Sequence, residues 1–330
     1  MVRAGKMVVG GLVGLLLLCA GGTAISDFLI GDANPPVGRF VQTSAGRQHV
    51  LDVGPEFTEA ADAATVVLLH GATANLEDMR LALADRLRTR YRVIAVDRPG
   101  HGWSARGDGE ADATPRRQAA VLHEVLRKSK VDRPILLAHS WAGSVALAYA
   151  LAYPDEVSGL VLLAPVVYRW QGETSHFVDI AASAWLGPVF AHTLAVPIAW
   201  LLLDPLVERA FSPEHPPPDY VEHAAILLAL RSASITTNAE DLEQMALLPR
   251  PQAYPYAQLR VPVVVIAGSD DRLVSSRQQA ETFARQSPRA KLIMLPGVGH
   301  MLHYAVPERV TGAIASLADA ARSGAGSDRD

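Results

Sequence analysis

The chain has 330 residues, a formal net charge of −4, and 19% charged against 49% hydrophobic residues. That length holds one large α/β domain with an insertion, and the slight acidity with no basic tract gives no reason to expect a nucleic-acid partner. A single cysteine, Cys19, excludes an internal disulfide.

The composition is more apolar than that of an average soluble domain, and two segments carry the excess. The first, Met7 to Ser26, has no charged residue and follows Arg3 and Lys6. A run of about 20 apolar residues can span a bilayer, whereas a signal-peptide core is usually about 7–15. Ala24-Ile25-Ser26 is still a tolerable cleavage site, so uncleaved anchor and cleaved signal both stay open. On either reading Arg3 and Lys6 stay in the cytoplasm and the rest of the chain is exported. Leu18, before Cys19, is bulkier than the small residue a lipoprotein cleavage site wants.

Phe40-Val41-Gln42-Thr43 and His49-Val50-Leu51-Asp52-Val53, parted by a Ser-Ala-Gly-Arg turn, predict an opening hairpin. Val66-Val67-Leu68-Leu69 predicts a strand running into His70-Gly71-Ala72, and Tyr91 to Asp97 predicts a strand running into Arg98-Pro99-Gly100-His101-Gly102-Trp103-Ser104. Thr114-Pro115 predicts a helix start with a cap and then proline at the first position, the helix running to about Lys130. Ile135 to His139 predicts a buried strand and Val145 to Ala150 a helix rich in small residues, which leaves Ser140 on a tight turn between them. Such a turn lifts a hydroxyl above the sheet edge and aims it at the positive end of the helix. Ala138 and Ala142 stand where the usual pattern has glycine, and Gly143 falls one position late.

Leu160 to Ala164 predicts the next strand, ending in Pro165 with no carboxylate. Ala181 to Leu203, the second apolar segment, has no Asp, Glu, Lys or Arg. Gly187-Pro188 and Pro197 predict that it breaks into short helices. A single membrane crossing there would also part Ser140 from everything downstream of it. Val263 to Gly268 predicts a strand followed by Ser269-Asp270-Asp271, and Lys291 to Leu295 a strand followed by Pro296-Gly297-Val298-Gly299-His300. A last helix starts at about Pro307, and residues after Arg322 read as a loose tail.

A serine hydroxyl is a poor nucleophile until a base takes its proton, and that base needs an acid to orient it. Serine, aspartate and histidine follow three strands in that chain order, which is the order of one hydrolase architecture and not of the two well-known protease orders. At the His-Gly turn, the Asp-Arg-Pro-Gly-His-Gly-x-Ser loop, the serine elbow, the Gly-x-x-Asp turn and the Gly-x-Gly-His turn, the chain resembles the α/β-hydrolase superfamily over about residues 40–320.

The resemblance implies a mostly parallel, eight-stranded sheet flanked by helices, with a helical lid inserted after the sixth strand. It divides the chain into an anchor or signal at 1–26, a first core part at 37–168, a lid at 169–251, a second core part at 252–322 and a flexible tail at 323–330. It implies Ser140 as nucleophile, His300 as base and then acid, and Asp271 as orienting carboxylate, three residues after Gly268, with Asp270 the competing choice. The oxyanion hole would use the backbone N–H groups of Trp141 and Ala72, each such donor being worth about 2.7–4 kcal/mol. His70, His101 and His139 would hold loops together, as would Asp97, and Trp170, Trp185 and Trp200 either line an acyl pocket or pack the lid on the core.

No metal-ligand spacing and no phosphate-binding fingerprint is present, so neither metal nor cofactor is expected. The leading function is acyl transfer to water from apolar or aromatic carboxylic esters, small-molecule substrates met at a membrane. Carbon–carbon bond, amide or lactone hydrolysis, or cofactor-free perhydrolysis, fits the same triad, and a non-catalytic receptor on a retained fold is the alternative of a different class. Location follows the leader: a membrane-anchored catalytic domain on the extracytoplasmic side, or a secreted or periplasmic one if the leader is cleaved. Oligomeric state is not legible.

Overall fold

The computed structural model describes residues 2–55, 64–107, 109–170, 176–248 and 255–327. Eight strands, β1 (Arg39–Thr43), β2 (Gly46–Val53), β3 (Thr65–Leu69), β4 (Arg92–Val96), β5 (Ile135–His139), β6 (Gly159–Leu163), β7 (Val263–Gly268) and β8 (Ala290–Leu295), form one sheet. Their order is β1-β2-β4-β3-β5-β6-β7-β8. The opening hairpin and β2–β4 pair antiparallel, and every later pair is parallel.

The four central strands are buried on both faces, as parallel strands under helices must be. Strand alternation then divides the core. Val67, Leu69, Leu136, Leu160, Leu162 and Val265 face the side covered by α2 (Pro115–Lys128) and α3 (Ala142–Ala152). Val66, Leu68, Leu137, Val161 and Ile266 face the helix over Leu76 to Leu87 and α8 (Pro307–Ser327). Each such side chain contributes about 1.5–3 kcal/mol by leaving water.

Local signals hold where they are strongest. The Thr114 hydroxyl accepts from the Arg117 N–H at 3.3 Å and proline opens α2. Where the chain was expected to loosen after Arg322, α8 instead runs through Ser327, and residues 328–330 lie outside the described residues. At the other end, α1 (Val2–Ala33) is one unbroken helix that passes straight through Ala24-Ile25-Ser26.

Between β6 and β7 lies a helical insertion containing α4 (His176–Ala182), α5 (Gly187–Phe190), α6 (Val196–Phe211) and α7 (Ser232–Leu247). Residues 171–175 and 249–251 of the expected lid, and 252–254 of the expected second core part, are outside the described residues. The chain does break before Gly187, but Pro197 does not end the helix. It follows a π turn over Ala191–Ala195, where the regular hydrogen-bond ladder is already interrupted, so a residue without an N–H is accommodated and Gly187 to Phe211 is continuous. By length and composition alone this run and α1 could each cross a membrane. β6 and β7 are neighbours in one sheet, with Leu160 opposite Val263, so the insertion leaves and returns on the same side and a single crossing is impossible.

Candidate active site

β5 delivers Ser140 to the sheet edge in the left-handed conformation, at φ 53°. Its N–H donates to the Leu163 carbonyl at 2.9 Å, and its own carbonyl accepts from Gly143 and Val166, both at 3.0 Å. Those three bonds tie the elbow to β6, to α3 and to the segment after β6, and they offset a conformation that costs about 1–3 kcal/mol for a non-glycine residue. Ala138 and Ala142 are wholly buried, as the close strand–helix approach requires. The late glycine has its own reason: a Cβ on Gly143 would stand 2.8 Å from Cβ of Pro165, where α3 backs onto the chain after β6.

His300 follows β8 and Asp271 follows β7. His300 Nδ1 lies 2.7 Å from Asp271 Oδ2, and both side chains are buried. The other oxygen, Asp271 Oδ1, accepts from the Leu273 and Val274 N–H groups at 2.8 Å each, which fixes the carboxylate's rotamer. Asp270 instead accepts from the Ser269 hydroxyl at the surface. The geometry therefore pairs His300 with Asp271 and not with Asp270.

His139 couples that pair to the elbow. Its ring sits 4.7 Å from the His300 ring, and its Nε2–H donates to the His300 carbonyl at 3.1 Å. Burial, followed by the neighbouring His303 and His300 imidazoles, holds His139 well below its ordinary range, hence neutral. On the facing side, a Cβ on Gly71 would meet His139 Nδ1 at 3.0 Å and Ser140 Cβ at 3.2 Å, so the His-Gly turn closes directly over the serine. Ala72, next along, packs with the wholly buried Trp141. Trp141 stands at the N-terminal end of α3, where N–H groups point out of the helix.

The turns around the site are held by ionic and imidazole groups that the spacing of the sequence does not reveal. Arg98, 2% exposed, donates to the His70 and Gly71 carbonyls at 3.0 and 2.9 Å, to Gln118 at 3.0 Å, and to Asp241 of α7. Arg106 donates to the other Asp241 oxygen and to Glu240. The Trp141 indole N–H donates to Asp241 at 3.1 Å. One buried carboxylate of the insertion thus clamps the serine elbow's tryptophan and the His-Gly turn. Burial lowers Arg98, with Asp241 opposing, whereas the Asp241 and Glu240 carboxylates overcome burial to raise Arg106.

His70 accepts from the Arg98 N–H at 3.0 Å and is pushed down to about 3 by burial and then by the Arg98 charge. His101 is likewise lowered by burial, then by Arg98 and Arg106. Asp97 does hold its own loop, accepting from Leu76 N–H at 2.7 Å, Trp103 N–H at 2.8 Å and His49 at 2.7 Å. Glu214 of the insertion accepts from Gly299 N–H, one residue before His300.

Behind His139 lies a wholly buried Asp78 and His303, the three residues each offering a ligand-type atom within 4.8 Å of the others. Both Asp78 oxygens are already in use: Oδ1 accepts from Tyr220 and Tyr304, Oδ2 from His303. Hydrogen bonding accounts for the carboxylate, which faces the core and not the serine.

The three tryptophans separate. Trp170 packs near Trp141, Met245 and Leu248 and borders a cleft of about 620 Å³ on the outer side of Asp271, which neither Ser140 nor His300 lines. Trp185 is 90% exposed and Trp200 hydrogen-bonds to Ser26 of α1, so neither lines a pocket at the site. Trp185 stands on the turn before Gly187, and Trp200 is carried outward because the helical run continues past Pro197.

The family model for the alpha/beta hydrolase fold matches residues 64–305, more than half of the chain. A probable 1-acylglycerol-3-phosphate O-acyltransferase of Oryza sativa subsp. japonica is 34% identical over 140 residues, 41% of this chain and 34% of its own length. The chain thus spans about a third of that relative. The sn-1-specific diacylglycerol lipase ABHD11 of Mus musculus is 26% identical over 255 residues, 76% of this chain and 80% of its own. A solved membrane phospholipase A, described as a bacterial virulence factor, shares the fold with a TM-score of 0.65 at 20% identity, covering 97% of this chain and 98% of its own. With the sheet, the crossovers and the family match in place, the chain belongs to the α/β-hydrolase family.

Proposed function

We propose that the protein is a serine hydrolase that cleaves carboxylic esters of apolar or aromatic substrates through an acyl-enzyme. The observation that carries this reading is the buried His300–Asp271 pair at 2.7 Å, held through His139 against the serine elbow. In the proposed reaction His300 takes the Ser140 proton as the hydroxyl attacks the ester carbonyl, and the oxyanion receives hydrogen bonds from the N–H groups of Trp141 and Ala72. His300 then returns the proton to the leaving alcohol. Water, deprotonated by the same imidazole, releases the acid. Asp271 keeps Nδ1–H of His300 directed at itself, so Nε2 is left to serve the serine.

The mouse relative's name, a diacylglycerol lipase, supports an ester as the bond cleaved. Residues 169–251 act as the lid over this site, and 1–26 as an uncleaved anchor that holds the domain on the extracytoplasmic side. Thr23 and Ser26, inside that run, hydrogen-bond to Thr193 and Trp200 of the insertion, contacts that a cleaved signal would forfeit, which supports anchor over signal.

A fluorophosphonate probe tests the chemistry. Wild-type protein should label, and Ser140→Ala should not, while both unfold at the same denaturant concentration. Labelling that survives Ser140→Ala moves the nucleophile elsewhere; a wild type that never labels leaves a binding protein on a retained fold. Turnover of esters of graded acyl length, beside amides and lactones, then ranks the bond types.

A further inference from the structure

α1 has two halves with different surroundings. Leu12, Val13, Leu17 and Leu18 are exposed, between 51% and 76%. From Thr23 onward the helix is built into the insertion. Trp200 N–H donates to the Ser26 hydroxyl at 3.3 Å, and Asp27 accepts from both the N–H and the hydroxyl of Ser232 at the start of α7. Ile30 is buried with Leu203, Phe211 and Tyr220, and the Trp103 indole donates to the Asn34 carbonyl.

Height along α1 then decides what lies beside it. At 1.5 Å per residue, a hydrocarbon core of about 30 Å needs about 20 residues. The uncharged run Met7–Ser26 supplies that length only if all of it is used. Yet Ser26 and Thr23, its last turn, already touch Trp200 and Thr193 of the insertion. The insertion at that level therefore sits at the membrane surface. Its side chains there agree: Trp185 is 90% exposed, Leu186 62%, Val189 58% and Leu201 80%. Tryptophan is the residue most at home at that boundary. The next charges along α6, Asp204, Glu208 and Arg209, are exposed and mark where the run meets water.

We propose that the exposed face of the Trp185–Leu186 turn, α5 and the first part of α6, from Trp185 to Leu201, is a second lipid-contacting surface, seated in the leaflet from which α1 emerges. The occupant is the acyl and headgroup boundary of a phospholipid bilayer. This rests on the reading of α1 as an anchor. Its consequence is that the site's own cover lies on the lipid, since the insertion reaches the serine elbow through Asp241 and the His300 loop through Glu214.

Depth quenching on the full-length protein tests this, with Cys19→Ser as background because the chain has no other thiol. Single cysteines Leu15→Cys, Trp185→Cys, Leu201→Cys and Arg260→Cys are labelled with bimane and reconstituted in phosphatidylcholine vesicles carrying brominated acyl chains. Arg260 precedes β7, at the sheet end away from the elbow, and is the aqueous control. Positions 185 and 201 should lose at least half as much fluorescence as position 15, and position 260 none. If position 15 is quenched while 185 and 201 match 260, the anchor stands and the second surface is refuted. If 185 and 201 are shielded from aqueous iodide but not quenched by brominated lipid, another protein surface, such as a second copy of the chain, covers them and the lipid assignment fails. If position 15 itself is unquenched, the anchor reading and this inference fall together.

Discussion

Three histidines beside the site, His70, His101 and His139, are buried to 4% exposure or less and held neutral. An unfolded chain protonates the same residues near pH 6.5. The unfolded state therefore binds more protons as the pH falls below that value, and stability is lost on acidification. His70, pushed down to about 3 by burial and then by the Arg98 charge, stays neutral across this range. Between pH 7.5 and pH 5.5 the unfolded imidazole gains nearly a full proton while the folded one stays bare, a loss of about 1.4 kcal/mol. His101 and His139 act in the same direction. His49 opposes them: burial disfavours its charge, but the Asp97 carboxylate at 2.7 Å outweighs burial and raises it, so its contribution grows on acidification.

Urea titrations followed by tryptophan fluorescence, in detergent micelles at pH 7.5, 6.5 and 5.5, measure the sum. His70→Gln isolates one proton, since glutamine keeps an acceptor for the Arg98 N–H. The variant should lose about 1.4 kcal/mol less than wild type between pH 7.5 and pH 5.5. An equal pH difference in variant and wild type refutes the assignment of a neutral, proton-excluding His70. A wild type as stable at pH 5.5 as at 7.5 refutes the wider argument.

Asp271→Asn should cut ester turnover by orders of magnitude through loss of histidine orientation, while Asp270→Asn, at the surface with Ser269, stays near wild type; steady-state kinetics of both decide, and the reverse ranking reassigns the acid. Asp241→Ala strips Arg98 and Arg106 of a shared buried carboxylate and should lower unfolding stability by about 3–5 kcal/mol. A urea midpoint within experimental scatter of wild type would sink the clamp. Gly71→Ala sets a methyl 3.0 Å from His139 and 3.2 Å from Ser140 Cβ, so kcat should fall with the fold retained; unchanged kcat means the turn has room to retreat.

Local chemistry made part of this protein legible in one dimension. Three apolar runs, each leading to a turn that carries Ser140, His70-Gly71 or Asp271, announce parallel strands because a strand buried on both faces needs no alternation. Thr114-Pro115 announces a helix because a cap and a fixed φ act within one turn. What those signals share is short range.

The remainder depends on residues far apart in the chain. Asp270 and Asp271 are neighbours with the same chemistry, and only the fold decides which faces His300; the two N–H bonds to Oδ1 hold Asp271 in place. Arg98 and Asp241 carry no common motif, because their pairing is made by an insertion folding back over the elbow. Pro197 suggested a helix break, and the π turn before it removed the conflict. The leader's length announces a segment fit for lipid, but that its last turn lies against Trp200 and Ser232 is a tertiary fact. Periodicity and capping are properties of neighbouring residues; ionic pairing, depth and orientation belong to surfaces that meet only after the chain has folded.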